Sequence, residues 1–379
     1  MRKYLILAIL AIILLSAQSF AAETIKIGQI ASLTGDFTDY GQMEVNGAKL
    51  AIDEINANGG ILGKKAELAV YDSKGSSSET INAVRLLTLK EHVSVIIGHG
   101  TSNLCIAAAP IVAKMKTPLV SLLATNTGVT VDKFGHVRPY SFRIGFTDPY
   151  QGKILALFAA KELKAVKAAV LLEESDEYSI GLSNFFKINF VAGGGTIVAS
   201  ESFRHSDIDI TTQLSKIQNS SADVLVIPVV GRNLPLAVKK ARDMGIAVPI
   251  LCGDGYGEYV TESAGTDATK STYWVSHGSI KEPRYKNFVS KYEAVTKKEC
   301  KEGMNAIAAY DSVYWIKNAI ERAGSSKPEH LRSALETTNN LHLIHLNLTM
   351  TSSHDPLNKG AVIMKAVNGK SVFVKKVKP

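Results

Sequence analysis

Cysteine, tryptophan and long apolar runs are all scarce in this sequence of 379 residues. The three cysteines, Cys105, Cys252 and Cys300, are odd in number and far apart, so at most one disulfide can form and the sequence favours none. Beyond residue 22, no apolar run approaches the ~20 residues that a membrane span needs. We therefore expect no membrane anchor in the body of the chain, and its length predicts two domains with cores of their own.

The sequence also lacks the short motifs that carry catalytic or phosphate-binding chemistry. It contains no G-x-S-x-G elbow, no H-E-x-x-H pair and no P-loop. Residues 98–103 resemble the dinucleotide fingerprint G-x-G-x-x-G, but the last position is Asn103 and no acid ends the next strand to hold a ribose. His342 and His345 would face opposite sides of a strand, which disfavours a shared metal ion. We therefore predict no enzyme, no catalytic residue, no metal site and no cofactor.

The distribution of charge argues against a nucleic-acid partner. Lysine and arginine number 43 against 35 acids, a formal balance of +8, but the basic residues are dispersed. The densest groups, at 297–301 and 375–378, are short and lack interleaved aromatic side chains, so solvated surface is the better interpretation. We predict that the chain binds no nucleic acid.

The N-terminus has the pattern of a secretory signal peptide. Arg2 and Lys3 precede an uncharged apolar stretch over residues 4–15, and Ser19-Phe20-Ala21 supplies a small-x-small cleavage site. The sequence therefore predicts export, with residues 1–21 removed by cleavage near Ala21. No cysteine follows this site until Cys105, so attachment through a lipidated N-terminal cysteine is not supported.

Strand-length apolar runs alternate with segments of helical period about every 30 residues, which is typical of βαβ units. With helices between them, strands are predicted at 24–30, 66–71, 93–97 and 118–124, and again at 166–172, 196–201, 223–229 and 248–252. Residues 283–337 are helical in three segments, and the tail, 341–377, returns to strand character. A helical block followed by a strand-rich tail does not fit a single sheet whose strands are added in sequence order. We therefore expect the chain to cross between two α/β units more than once.

In such folds, ligands bind where the carboxyl ends of parallel strands face a cleft. Thr101 and Ser102 lie where a predicted strand ends and a helix begins, so their hydroxyls and the free N–H groups suit a carboxylate. Asp254, between two glycines at another strand end, would suit an ammonium group. Simpler interpretations stay open: Ser102 and Thr125 as helix N-caps, and Asp254 as the cap of the following helix. Together these residues would suit a zwitterion.

Several short segments occur in an order that is characteristic of one protein family. They include Ile25-Lys26-Ile27-Gly28, Leu33-Thr34-Gly35, Asp53-Glu54-Ile55-Asn56, Gly253-Asp254-Gly255 and His354-Asp355-Pro356. In this order they resemble the branched-chain (leucine/isoleucine/valine-type) amino-acid-binding proteins, which are type I periplasmic substrate-binding proteins of ABC transporters in the hydrophobic amino-acid transport family. The resemblance spans nearly the whole chain after the signal peptide.

The resemblance implies an α/β fold of the type I periplasmic-binding-protein class, in which two Rossmann-like lobes with parallel sheets are joined by a three-crossover hinge. The N-terminal lobe would comprise 22–145 and 278–347, and the C-terminal lobe 146–277 and 348–379. The protein would be a periplasmic monomer that binds a small molecule, an amino acid or amide, by hinge closure and delivers it to the membrane permease of an ABC transporter. The alternative is a soluble ligand-sensing module of a receptor or amide-responsive regulator with the same fold.

The family's amino-acid site falls on definite positions of this chain. Part of the site would bind the carboxylate and ammonium groups that all amino acids share, and part would line the cleft. The residues are Ser102, Thr125 and the Leu123 backbone for the carboxylate and ammonium, Asp254 as the ammonium-binding acid, and Tyr40, Tyr178 and Tyr256 along the cleft.

Three positions depart from the leucine-type pattern where the ligand's side chain is held. Gly100 replaces a bulky apolar residue, Val230 replaces an aromatic one, and Asn305 replaces a phenylalanine that packs on the aliphatic side chain. The disulfide of that subgroup is also absent, with Gly75 and Thr101 at its two positions. We therefore expect backbone recognition to be kept and side-chain preference to differ, with larger, aromatic or more polar amino acids and amides open besides the branched-chain ones.

Overall fold

Two β-sheets organise the chain. The computed structural model describes residues 24–301, 303–357 and 360–377, and the predicted signal peptide, residues 1–21, lies outside the described residues. Within these ranges, no helix is both long enough and apolar enough to cross a membrane.

The first sheet has five parallel strands in the order β2-β1-β3-β4-β5. Its elements are β1 (Ile25–Ala31), α1 (Thr38–Ala57), β2 (Ala66–Asp72), α2 (Ser77–Leu89), β3 (Val95–Ile97), α3 (Ser102–Met115), β4 (Leu119–Ser121) and β5 (Ser141–Arg143). Strands β3 and β4 are buried along their whole length, as expected for central strands covered by helices. Because parallel strands point the same way, the loops after them gather at one edge of the sheet.

The second sheet has seven strands in the order β14-β13-β10-β9-β8-β6-β7. Its parallel strands and their helices are α4 (Asp148–Lys161), β6 (Lys167–Glu173), α5 (Glu177–Ala192), β7 (Thr196–Phe203), α6 (Thr211–Gln218), β8 (Val224–Ile227), α7 (Asn233–Asp243), β9 (Ile250–Cys252), α8 (Glu258–Ala264) and β10 (Thr272–Ser276). Strands β13 (Ala361–Val367) and β14 (Lys370–Val377) form an antiparallel hairpin, and β13 pairs antiparallel with β10. The hairpin turns at Asn368 and Gly369, both at positive φ, as the sequence predicts for an Asn-Gly pair.

The predicted helical block packs on the first sheet although it follows the second in the chain. Helices α9 (Lys286–Thr296), α10 (Met304–Ala323) and α11 (Pro328–Glu336) share one buried apolar cluster with α1 and strands of the first sheet. Helices α10 and α1 approach so closely that a Cβ atom at Gly47 would lie 2.0 Å from the carbonyl oxygen of Ala306. Only glycine allows this approach, which brings the start of α10 next to the edge loops of the first sheet.

The chain passes between the two sheets three times. It leaves the first sheet after β5, returns after β10, and leaves again after the small hairpin of β11 (Leu341–His342) and β12 (Asn347–Leu348). Before the last passage, Asp355 accepts a hydrogen bond from the fully buried Arg143 at 2.8 Å, and His354 stacks on Phe142. These contacts hold the tail on the first sheet as far as Asp355. The lobe boundaries at 145/146, 277/278 and 347/348 stay a prediction.

The α/β architecture that the sequence predicts is confirmed, including the three-segment helical block and the strand-rich tail. Three elements escape the prediction, β5, α8 and β10, because each is seven residues or shorter and shows too little of its period. The strand predicted at 118–124 is confined to β4. The residues after it turn into the edge loops, where Leu122 N donates to His99 O at 3.2 Å.

Candidate ligand-binding site

A cavity of about 110 Å³ lies between the two sheets, among the loops that follow their strands. Eight of the ten predicted site residues line it: Tyr40, Gly100, Ser102, Leu123, Tyr178, Val230, Asp254 and Asn305. Tyr256 lines a larger adjoining cavity, while Thr125 is fully buried and lines neither of the two. Both sheets therefore contribute to one site, although the role predicted for Thr125 has no direct contact with the cavity.

The start of helix α3 forms one wall of this cavity. Thr101 is the N-cap residue and makes no side-chain bond to the first turn, and its buried hydroxyl has no hydrogen-bond partner among the described residues. Ser102 is the first helical residue, 2% exposed, and its Oγ accepts a hydrogen bond from Asn126 N at 3.2 Å. The interpretation of Ser102 as an N-cap is therefore wrong. The Thr101 hydroxyl and the N–H groups of the first turn remain available to an anion.

Asp254 forms the opposite wall and is held by a histidine. Its Oδ2 lies 2.9 Å from His277 Nε2, and the two side chains are only 6% and 2% exposed. Its Oδ1 is buried and makes no hydrogen bond within 3.5 Å to the described residues, although the Tyr178 hydroxyl interacts with this carboxylate, so one carboxylate oxygen can accept a bond from a ligand. The N-cap of α8 is Gly257, so the interpretation of Asp254 as that cap is wrong. A buried carboxylate with one oxygen unpaired is well suited to an ammonium group.

His277 follows β10 directly, and the sequence analysis missed it. The ring of Phe146, from the connection between β5 and α4, stacks on it with centroids 3.6 Å apart. A Cβ atom at Gly145 would lie 3.0 Å from His277 Cε1, so the two connections between the sheets pack together at this histidine. The signal was available: the segment Thr-Tyr-Trp-Val-Ser has strand composition, and His277 stands at its carboxyl end, where site residues are expected.

Tyr178 closes the site from the first turn of α5. It is 5% exposed, and a Cβ atom at Gly253 would lie within 1.9 Å of its hydroxyl, so the glycine before Asp254 is required by this contact. Burial, followed by the charges of Asp254 and Asp148, raises the pKa of Tyr178 well above its ordinary value. Its hydroxyl therefore stays protonated and can act as a hydrogen-bond donor.

Thr125 lies behind the cavity wall, next to a second buried acid. Its carbonyl accepts a hydrogen bond from Asp148 N at 2.8 Å, and its hydroxyl lies close enough to the Asp148 carboxyl to act as a hydrogen-bond donor to it. The interpretation of Thr125 as an N-cap is wrong, because Asn126 caps the short helical turn Thr127–Val129. Burial raises the pKa of Asp148 to about 8, which leaves that carboxyl largely protonated at neutral pH.

The third wall is made by Gly100 and Asn305, and a buried glutamate lies behind them. Glu44 Oε1 accepts a hydrogen bond from Gly100 N at 2.9 Å, and Glu44 is 1% exposed. A Cβ atom at Gly100 would lie 2.9 Å from both Asn305 Oδ1 and Glu44 Oε1, so these groups fill the space that a larger residue would need. Burial raises the pKa of Glu44 to about 8. The sequence analysis missed Glu44, which lies on the same face of α1 as the apolar Ala48 and Ile55.

The two sheets' loops touch each other around the cavity. Tyr40 OH donates to Gly255 O at 2.8 Å, and Asn126 Nδ2 donates to Glu177 O at 2.6 Å. Asn103 Oδ1 accepts from Glu177 N at 2.8 Å. Each bond joins a residue of the first unit to a residue of the second, so the structure is that of a closed cleft.

The chemical groups at the site are suited to binding. In the described ranges, no group of three or more His, Cys, Asp and Glu side chains is placed to hold a metal ion. The three cysteines are unpaired and buried, and burial raises the pKa of Cys105 to about 11, so its thiol is protonated at neutral pH. A helix N-terminus with a free hydroxyl on one wall and a carboxylate oxygen on the other can hold a molecule that carries both charges.

Comparison with known proteins gives consistent matches. A model of the periplasmic binding protein family matches residues 24–370. LivJ from Streptococcus pneumoniae, a branched-chain amino acid transporter substrate binding protein solved in complex with isoleucine, is 32% identical with a TM-score of 0.86, covering 94% of this chain and 100% of that chain. The leucine binding protein LivK from Thermotoga maritima is 31% identical with a TM-score of 0.86, covering 94% and 99%. The Leu/Ile/Val-binding protein BraC3 from Rhizobium johnstonii is 28% identical over 308 residues, 81% of this chain and 82% of that protein.

Proposed function

The chain belongs to the periplasmic binding protein family, and we propose that it is the solute-binding component of an ABC-type amino-acid importer. Its fold is the type I fold of that family, two Rossmann-like lobes with parallel sheets joined by three crossovers. The names of LivJ, LivK and BraC3 support an amino-acid ligand, and LivJ is described as a transporter component. The same names do not favour the alternative of a ligand-sensing module.

The observation that carries the proposal is the pair of unsatisfied polar groups in one cavity. The Thr101 hydroxyl and the Asp254 Oδ1 are both buried without a partner among the described residues, and both residues line the 110 Å³ cavity. A buried polar group without a hydrogen bond costs about 1–3 kcal/mol, so a ligand that satisfies both would gain this energy back. The carboxylate of an amino acid would bind at Thr101 and Ser102, and its ammonium at Asp254 Oδ1.

Binding would proceed by closure of the two lobes. We take the lobes as 22–145 with 278–347 and 146–277 with 348–379, so that Ser102 and Asp254 belong to different lobes and meet only when the cleft closes. Ligand contacts to both walls would then favour the closed form, which a membrane permease can distinguish from the open one. The protein would work as a periplasmic monomer after removal of residues 1–21, without a catalytic reaction, a metal ion or a cofactor.

A thermal-shift panel on the mature, unliganded protein tests the proposal. It would include the standard amino acids, their amides, aromatic acids, sugars and divalent metals. An amino acid present at about a hundredfold excess over its Kd should stabilise the protein by about 2.7 kcal/mol and raise Tm accordingly. Responses to sugars or metals alone would overturn the proposal. N-terminal sequencing of the exported protein should begin at Ala22.

A further inference from the structure

The 110 Å³ cavity adjoins a second one of about 580 Å³. Four residues line both: Tyr40, Leu123, Asp254 and Asn305. Pockets for drug-sized ligands occupy roughly 300–1,000 Å³, so the first cavity alone is small for such a ligand and the second lies within the range. The shared residues therefore mark a passage between a small polar cavity and a larger one.

Asn305 is one of the four residues at this passage. It lies in the first turn of α10, beside Gly100, with its Oδ1 2.9 Å from where a Cβ atom of Gly100 would be. Glu44 Oε1 and Asn305 Oδ1 fill the space beside Gly100, so the opening between the two cavities lies along the short Asn305 side chain. The ligand's side chain therefore has room to extend towards the second cavity.

The buried surface of the second cavity is apolar and adaptable. Met304, Met364 and Trp274 line it and are 6%, 5% and 2% exposed, and Met43 is half-buried beside them. Methionine is flexible and polarizable, so it packs well against aromatic and irregular apolar groups. This lining favours an apolar end on the molecule that enters.

Two pairs of opposite charges lie at the edge of the second cavity. Lys301 Nζ lies 3.0 Å from Glu262, and Lys370 Nζ lies 4.0 Å from Glu258. Lys281 Nζ donates to the carbonyl of Ser371 at 3.1 Å. The paired groups give no preference for a charged end on the ligand, and the other charged lining residues, Asp39, Lys298 and Glu299, carry both signs.

We propose that the ligand is an α-amino acid with a side chain longer than that of leucine, whose apolar or aromatic end passes Asn305 into the second cavity. This inference rests on the proposed function, since the amino-acid head would bind at Thr101, Ser102 and Asp254. It assigns the second cavity, and the substitution at position 305, a role in selecting large over branched-chain amino acids.

Calorimetric titration with valine, leucine, phenylalanine and tryptophan would test the inference on three forms of the mature protein. They are the natural protein, Asn305→Phe, and the matched control Asn287→Phe, which places the same change on an exposed position of α9. The natural protein should bind tryptophan or phenylalanine at least about tenfold more tightly than valine, since the buried ring adds apolar area. Asn305→Phe should reverse the order by narrowing the passage, and Asn287→Phe should keep the natural order.

The outcomes separate the inference from the proposed function. If valine or leucine binds more tightly than the aromatic amino acids and Asn305→Phe leaves the order unchanged, the inference is wrong while amino-acid binding stands. If none of the four amino acids binds and the thermal-shift panel also shows no amino-acid response, both are wrong. Far-ultraviolet circular dichroism of Asn305→Phe would show whether the variant is folded, so that a loss of affinity is not mistaken for unfolding.

Discussion

The two halves of the candidate site are built in opposite ways. The half that would hold the amino-acid backbone has buried polar side chains fixed by their neighbours, such as Asp254 by His277 and Ser102 by Asn126. The half that would hold the side chain consists of Gly100, Val230 and Asn305, and it borders the second cavity. If the two halves bind as proposed, affinity for all amino acids and preference among them depend on different residues. Each can therefore be changed without the other.

The largest effect is expected from Asp254→Asn in the backbone half. The change would leave a ligand ammonium buried without its acid, so affinity should fall by about 2–4 kcal/mol. Because the head group is shared, calorimetry should give a similar loss for valine and for tryptophan. The control Asp267→Asn alters a side chain that is 93% exposed and should leave both affinities unchanged. If the affinity of Asp254→Asn stays within about twofold of that of the natural protein, Asp254 does not bind the ligand.

Glu44→Gln changes a buried residue that lies behind the side-chain half of the site. Glu44 has a folded-state pKa of about 8 against an ordinary 4.5, because burial favours its protonated form. The natural protein should therefore lose stability as pH rises from about 5 to 8, since the unfolded chain ionises first. Glutamine keeps an acceptor for Gly100 N and cannot ionise. The free energy of unfolding of the unliganded variant, relative to that of the natural protein, should increase by about 1–3 kcal/mol from pH 5 to pH 8.

Urea unfolding at pH 5 and pH 8 measures this gain. Other buried acids, such as Asp148, are present in both proteins and cancel in the difference. The control Glu67→Gln changes a side chain that is 46% exposed and should show no comparable pH dependence. An equal stability difference at the two pH values would mean that Glu44 is ionised in the folded protein.

Periodicity in the sequence was sufficient for the sheets and for much of the backbone half. Alternating apolar runs predict both parallel sheets, and strand ends direct attention to Ser102 and Asp254 before any resemblance is considered. Both residues line the cavity because each follows the carboxyl end of a strand and the two sheets face each other across the cavity at those ends. The caps assigned as alternatives are wrong because helix starts shift by one to three residues, to Thr101 and Gly257.

The features missed from the sequence depend on tertiary contacts. Glu44 is a glutamate on an otherwise apolar helix face, and only the approach of Gly100 gives it a partner. His277 is the exception, because the strand composition of β10 was visible in the sequence. The second cavity is formed by residues from both sheets and from the helical block, so no local pattern could indicate it.

The smallest effect is expected from His277→Ala, which acts on the backbone half through Asp254. Removing the imidazole would leave Asp254 Oδ2 without its bond, so the carboxylate would be less well oriented and affinity should fall by about 1–2 kcal/mol. His277→Gln keeps a donor and should recover part of the loss, whereas the 78% exposed His136, changed to alanine, should have no effect. Calorimetry should again give similar losses for valine and tryptophan. A loss confined to tryptophan would instead place His277 in the side-chain half, because it also lines the second cavity, and the division between the halves would fail at this residue.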